Sequence, residues 1–346
     1  MKYFLLLILS VPLFAAQEPM RFDTVPDVPS SEFTFETAPM RGEPYSLGLV
    51  KKESVRGFIS VSPSKEFLGK ELVIPNKFSL SQFAELAPVK NQGNCGSCVS
   101  FAVSAAVEDQ YRILGKILPT LSNQYQMSCG KREWICNGSF FEKTASDYTL
   151  LNGNITQDKY PYTASNSSCK GKVSDTIAQI KNPRVIDNSP KSIITALLTY
   201  HAVPVTVGAD NYFLSYKGGI YNACTNAGTN HQVELVGYDL EGAQFDANGK
   251  LPAGKGTWLI KNSWGTRYGE AGYITMKMTS SSGRLCNNIA EEAGVFDVDL
   301  PTPTPTHTPT PTPAPPTPSN LDWKWLGIGF AILLSIAGSL FAIFKK

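Results

Sequence analysis

Residues 90–102 read Lys-Asn-Gln-Gly-Asn-Cys-Gly-Ser-Cys-Val-Ser-Phe-Ala, and from Cys98 to Val107 every side chain is apolar or small before Glu108-Asp109. A polar, glycine-bearing stretch that runs into such a segment predicts a loop feeding a buried helix, with Ser97 placed to cap it. Cys98 then opens the helix, where unsatisfied N–H groups and the macrodipole favour a thiolate. Cys95-Gly-Ser-Cys98 is also a CxxC. A redox motif of that kind belongs near the start of a βαβ unit, and a zinc site needs a second CxxC or a histidine pair. The sequence offers neither context, so no metal or other cofactor is expected.

The histidines narrow the chemistry further. There are three: His307 lies in a Pro/Thr-rich stretch, His201 follows the apolar run Ile193 to Tyr200 and reads as structural, and His231 opens an alternating, strand-like run. His231 is therefore the candidate base. A second strand-like run, Thr257 to Ile260, leads into Lys-Asn-Ser-Trp-Gly at 261–265. Val203 to Val207, Gln232 to Tyr238, Trp258 to Ile260 and Tyr273 to Met278 all alternate or are β-branched, so the second half of the body reads as β-rich.

With these motifs in place, the chain resembles the papain-like cysteine peptidases over roughly residues 74–300. The signature around the nucleophile, with a histidine and an asparagine downstream, is shared with that family. The polar, glycine-rich stretch Asp239 to Gly256 reads as a surface insertion that lengthens the spacing to Asn262. The resemblance implies an α+β fold of two lobes, a helical lobe carrying Cys98 and a β-barrel-like lobe carrying His231 and Asn262. It implies Cys98 as thiolate nucleophile, His231 as imidazolium and proton donor, Asn262 orienting the imidazole, and Gln92 with the Cys98 N–H as oxyanion donors. Trp264 is expected to shield the His–Asn pair. Of the seven cysteines, the resemblance pairs Cys95 with Cys136, Cys129 with Cys169 and Cys224 with Cys286, and leaves Cys98 free. Val99 stands where the family usually carries an aromatic residue.

Substrate contacts follow from the same resemblance. Gly138 and Ser139 fall on the edge that pairs with the substrate backbone, with Ser139 in place of a second glycine. Glu291, or Glu292 if one residue is inserted, falls near the floor of the S2 pocket, where a carboxylate predicts tolerance of Arg at P2. The segment Cys129 to Cys169 is too short for a histidine-bearing occluding loop, which favours an endopeptidase with protein or peptide substrates. Asn137, Asn154 and Asn166 begin glycosylation sequons, and Asn137 is expected to stay unmodified because a glycan there would obstruct the cleft.

The rest of the chain sets the compartment. Basic and acidic side chains number 31 and 29 among 346 residues, a balance that argues against a nucleic-acid binder. Lys2, an apolar run to Phe14 and Ala15-Ala16 describe a secretory signal over residues 1–16. Residues 17–73 are either an inhibitory propeptide or a retained extension. Nine of the 24 prolines fall within 301–318, so 301–320 reads as an extended polyproline stalk. Residues 321–324 form a juxtamembrane link. Trp325 to Phe344 carries no charge over 20 residues, enough at ~1.5 Å per residue to cross the ~30 Å hydrocarbon layer, with Lys345-Lys346 as a cytoplasmic tail. A removable lipid-anchor signal is the rival reading of that apolar tail.

Three functions stand on the sequence. The first is a membrane-tethered cysteine endopeptidase on the secretory pathway, its catalytic domain extracellular or luminal, at the cell surface or in a lysosome-like compartment. The second is a catalytically weak relative used in binding or adhesion. The third is a thiol-disulfide oxidoreductase built on Cys95 and Cys98.

Overall fold

The computed structural model describes residues 36–37, 45–49, 72–130 and 136–298. The signal at 1–16, most of the 17–73 segment, the stalk at 301–320, the link at 321–324, the apolar run at 325–344 and the tail at 345–346 lie outside the described residues. Among the described residues no helix is long and apolar enough to cross a membrane.

In chain order the elements are β1 (Glu36–Thr37), β2 (Lys77–Ser79), α1 (Cys98–Ile113), α2 (Asn123–Cys129), α3 (Phe141–Leu150), β3 (Ile180–Ile186), α4 (Pro190–Tyr200), β4 (Val203–Val207), α5 (Asn211–Ser215), β5 (Tyr216–Gly218), β6 (Ile220–Tyr221), β7 (His231–Asp239), β8 (Thr257–Lys261), β9 (Tyr273–Lys277) and β10 (Ala293–Val298). The helices α1 to α3 precede a sheet with the order β3-β10-β4-β7-β8-β9-β6, and β2 pairs with β7 off that path. Its pairings are antiparallel except β6 with β9. This is the α+β arrangement expected, and β4, β7, β8 and β9 lie where the alternating runs predicted strands.

The helix α1 is apolar around most of its circumference because it has no free face. Cys98, Val99, Phe101, Val103, Ala106, Val107 and Tyr111 are all buried, and the helix packs against β7. Val99 itself is completely enclosed. A second, smaller apolar cluster of Tyr125, Leu151, Ile155 and Tyr160 closes the helical side around Cys129.

Disulfides tie the irregular segments together, linking Cys95 to Cys136, Cys129 to Cys169 and Cys224 to Cys286, with Cys98 left as the free thiol among the described residues. His201 takes a left-handed backbone, φ 69°, at the C-cap of α4 and donates its N–H to Leu197 O, the structural place its sequence context suggested.

Ser97 does not do what the sequence suggested. Its side chain makes no capping bond to α1. The hydroxyl instead meets the Tyr162 hydroxyl at 2.7 Å and reaches the Cys95 carbonyl at 3.3 Å. The partner that wins is 65 positions away, beyond the reach of a local capping rule.

Candidate active site

Cys98 enters the site as the first residue of α1, and His231 as the first residue of β7. Asn262 follows the last residue of β8, the strand that pairs with β7. Sheet pairing therefore carries the imidazole and the amide side by side. His231 Nε2 lies 2.8 Å from Asn262 Oδ1, and the same oxygen accepts the Ser263 N–H at 2.8 Å. With Nε2–H donated to Asn262, the buried Nδ1 holds a lone pair and meets no hydrogen-bond partner among the described residues. Trp264 stacks on the imidazole at 4.5 Å between ring centroids.

The backbone N–H of Gln232, one residue after His231, approaches the Cys98 sulfur, as do those of Gly48, Val99 and Cys98. These donors favour a thiolate, yet burial outweighs them and pushes the thiol up to about 11. Burial likewise takes the His231 imidazole down to about 4 against the support of Asn262. Burial thus opposes the thiolate while Cys98 is fully covered.

Gln92 is oriented rather than loose. Its backbone N–H donates to Ser263 O at 2.8 Å, and Ser263 Oγ donates to Gln92 Oε1 at 2.6 Å. That bond turns Nε2 toward the cleft, where it donates to Cys95 O at 3.0 Å and Ser46 O at 2.8 Å.

The cover over this site is the chain's own segment 45–49, Tyr-Ser-Leu-Gly-Leu, which the sequence did not single out. Tyr45 stacks on Trp264, Ser46 O takes the Gln92 amide, and Gly48 O accepts the Ser139 N–H at 2.7 Å. Leu49 forms a parallel bridge with Ser139 and donates its N–H to Asn230 O at 3.2 Å. A peptide backbone is thereby held along Gln92, Cys98, Ser139 and Asn230. The edge at Gly138 and Ser139 binds main chain with a serine in the second position, and the buried Gly138 carries φ 100°. Farther up the chain, β1 pairs antiparallel with β5, with Glu36 opposite Gly218.

The two glutamates are engaged. Glu291 accepts the Thr229 hydroxyl at 2.7 Å, two residues before His231. Glu292 Oε1 accepts the Phe141 N–H at 3.2 Å, at the start of α3 and two residues after Ser139. Their partners thus neighbour in sequence the two residues that hold Leu49, Thr229 preceding Asn230 and Phe141 following Ser139 by two. Of the sequons, Asn154 is wholly buried with its amide donating to Tyr148 OH at 3.0 Å, so no glycan fits there, whereas Asn137 and Asn166 are exposed.

Behind the His–Asn pair lies a buried charged seam between α1 and the sheet. Lys261 Nζ pairs with Asp109 at 2.7 Å and Glu234 at 3.6 Å, while Lys90 pairs with Glu108 at 2.7 Å. A cavity of about 10 Å³, lined by residues that include Gln232, Glu234, Lys261 and Asn262, opens onto it. Among the described residues both Glu234 oxygens lack a hydrogen-bond donor within bonding distance. Among the described residues no group of side chains is arranged to hold a metal ion.

The chain is similar to known proteins. The sequence model of the family described as papain family cysteine protease matches residues 74–295. The viral cathepsin of Epiphyas postvittana nucleopolyhedrovirus is 30% identical over 222 residues, covering 64% of this chain and 65% of that protein. The chain thus spans less than two thirds of that relative's own length. Zingipain-1 of Zingiber officinale is 32% identical over 224 residues, 64% of this chain and 92% of that protein. Among solved structures, digestive procathepsin L2 proteinase from Tenebrio molitor larval midgut superposes with a TM-score of 0.59 at 26% identity, covering 73% of this chain and 78% of that one.

Proposed function

Because the chain belongs to the papain family of cysteine proteases, we propose that it is a cysteine endopeptidase that cleaves protein substrates through Cys98 and His231. The observation that carries this reading is the 2.8 Å contact of His231 Nε2 with Asn262 Oδ1, an oxygen that can only accept. With Nε2–H donated to Asn262 Oδ1 at 2.8 Å, Nδ1 is the imidazole atom left to take a proton.

The steps follow from that geometry. The Cys98 thiol passes its proton to His231 Nδ1, and the sulfur attacks the scissile carbonyl carbon. The Cys98 N–H and Gln92 Nε2 receive the developing oxyanion, each worth about 3 kcal/mol of barrier. The imidazolium gives its proton to the leaving amine, leaving a thioester on Cys98. Water then loses a proton to His231 as it attacks the thioester, and the carboxylic acid and free thiol are released.

We further read residues 17–73 as an inhibitory propeptide. Its support is the seat of residues 45–49 across Gln92, Cys98 and Ser139, and the matched procathepsin L2 is likewise a proenzyme. The carbonyl held by Gln92 belongs to Ser46 while the N–H on the sulfur belongs to Gly48, two residues on. That register joins different residues to the oxyanion donor and the nucleophile, which suits a blocking peptide better than a substrate. The apolar run 325–344 and the signal at 1–16 support a type of enzyme that is secreted and tethered by its C-terminus. Glu291 and Glu292, whose partners neighbour in sequence the residues that hold Leu49, support acceptance of Arg at P2 beside apolar side chains. In a P2 library, equal Arg cleavage by the double variant Glu291→Ala, Glu292→Ala would remove that specificity.

The test of the activity is covalent. An epoxysuccinyl thiol-protease inhibitor added to the activated chain is expected to label Cys98 and abolish peptide hydrolysis, with Cys98→Ala unlabelled. Hydrolysis that survives full labelling of Cys98 would sink the assignment. A Cys95–Cys98 disulfide in the active form would favour the oxidoreductase instead.

A further inference from the structure

Two oxyanion donors must keep a fixed separation, yet they come from different pieces of chain. Gln92 lies in the loop before the disulfide-bonded Cys95, and Cys98 opens α1. One side chain from outside both segments spans them. Tyr162 OH donates to the Gln92 carbonyl at 2.7 Å and lies 2.7 Å from Ser97 Oγ, the residue directly before Cys98. With the Tyr162 proton given to Gln92 O, the single Ser97 hydroxyl proton goes to Tyr162 OH at 2.7 Å in preference to the Cys95 carbonyl at 3.3 Å. The result is a directed chain, Ser97 O–H to Tyr162 O–H to Gln92 C=O.

The ring that carries this hydroxyl is itself fixed. Tyr162 meets Phe101 of α1 edge-on at 4.9 Å and 82°. Its neighbour Thr163 gives both N–H and hydroxyl to Gln124 Oε1 at 3.0 Å. Burial raises the Tyr162 phenol to about 12, opposed by the Ser97 hydrogen bond and reinforced by Cys98, so it remains a donor at neutral pH.

We propose that Tyr162, acting with Ser97, is a positioning residue that sets the separation of the Gln92 amide and the Cys98 N–H at the oxyanion site. The proposal rests on the endopeptidase reading above. Ser263 controls which way the Gln92 amide faces, whereas Tyr162 controls where the Gln92 main chain stands relative to α1.

Tyr162→Phe keeps the ring contact with Phe101 and removes only the hydroxyl. In the full-length chain, activated by limited proteolysis within residues 50–71, it is expected to lower kcat about tenfold and leave KM within about twofold, since displaced oxyanion donors act chiefly in the transition state. Affinity for a peptide aldehyde, whose thiol adduct places an oxygen at the same donors, is expected to fall by the factor seen in kcat. Alkylation of Cys98 by iodoacetamide develops no oxyanion, so its rate is expected to stay unchanged. Ser97→Ala is expected to give a similar loss, and the double variant little further loss, because both changes break one chain of bonds.

Equal losses in alkylation and kcat would overturn the proposal in favour of an effect on the thiol, and unchanged kcat and aldehyde affinity would overturn it outright. Additive losses in the double variant would separate Ser97 from it. A parent chain that alkylates at Cys98 but hydrolyses no peptide would overturn the endopeptidase reading instead. In that case iodoacetamide and aldehyde binding still report on Tyr162.

Discussion

The Tyr45 ring lies on the Trp264 ring at 4.4 Å between centroids and 5° between planes, and Trp264 also stacks with the His231 imidazole at 4.5 Å. The ring stacked on the imidazole is thus also an anchor for the segment that covers the cleft. Stacked pairs of this kind contribute about 0.5–1.5 kcal/mol beyond their buried area. Tyr45→Ala is expected to loosen the cover by about two- to tenfold, read as faster epoxysuccinyl labelling of Cys98 in the unprocessed chain. An unchanged labelling rate would mean that Tyr45 does not hold the segment down.

Gly48 offers a stronger lever. A Cβ built on it would stand 2.0 Å from the Gly96 carbonyl oxygen, a backbone atom that cannot swing aside. Overpacking of this sort costs about 1–3 kcal/mol. Gly48→Ala is therefore expected to displace residues 45–49 and raise the labelling rate of the unprocessed chain by about 5- to 150-fold, with unfolding by urea little altered. Retention of full protection by the variant would show that the segment is not held in this register.

Covering and uncovering the cleft should also change how Cys98 titrates. Burial holds the thiol near 11 with residues 45–49 in place. Removal of the segment readmits water and leaves the donors at the start of α1, so the thiolate is expected to form at lower pH in the processed chain. The pH dependence of iodoacetamide labelling before and after processing checks this. Identical midpoints in the two forms would contradict it.

Glu234 gives the folded chain a pH dependence of definite sign. Burial raises its carboxyl well above the ordinary range, opposed by Lys261 and reinforced by Asp109 and Glu108. Above the ordinary glutamate value the unfolded chain has released this proton and the folded chain still holds it. Stability therefore falls as pH rises through that window, by at most about 1.4 kcal/mol per unit. Lys261 is also raised, because attraction to Glu234 and Asp109 outweighs its burial, and its contribution is lost only at alkaline pH. Urea midpoints from pH 5 to 8 are expected to decline more steeply for the parent than for Glu234→Gln. Parallel declines would place the linkage elsewhere.

How much of this was legible depends on how locally each feature is encoded. Cys98 and His231 could be singled out because the chain has only seven cysteines and three histidines and each opens a strongly patterned run, whereas Asn262, one of many asparagines, was singled out by the Lys-Asn-Ser-Trp-Gly stretch and the family resemblance. The strands β4 and β7 to β9 were readable from their own patterned runs. Strand β3 was not, since Ile180–Ile186 contains Lys181, Asn182, Pro183 and Arg184 and owes its pairing to β10, more than a hundred positions away. Ser97 misled because a distant tyrosine takes its hydroxyl. Residues 45–49 carry no motif, as most of their grip is main chain, and Glu234 looks like any polar residue in a strand until the register sets it opposite Lys261.

The disulfide from Cys95 to Cys136 joins the loop of Gln92 and Cys98 to the edge of Gly138 and Ser139. An assay of this enzyme must keep one sulfur reduced while a bridge three residues away stays oxidised. Cys95 is only 1% exposed, so an attacking thiolate has little access to its side of the bridge. Mild reductant should therefore maintain the working thiol without parting the two walls of the cleft, and the first sign of too strong a reductant should be a loss of substrate grip rather than of nucleophile.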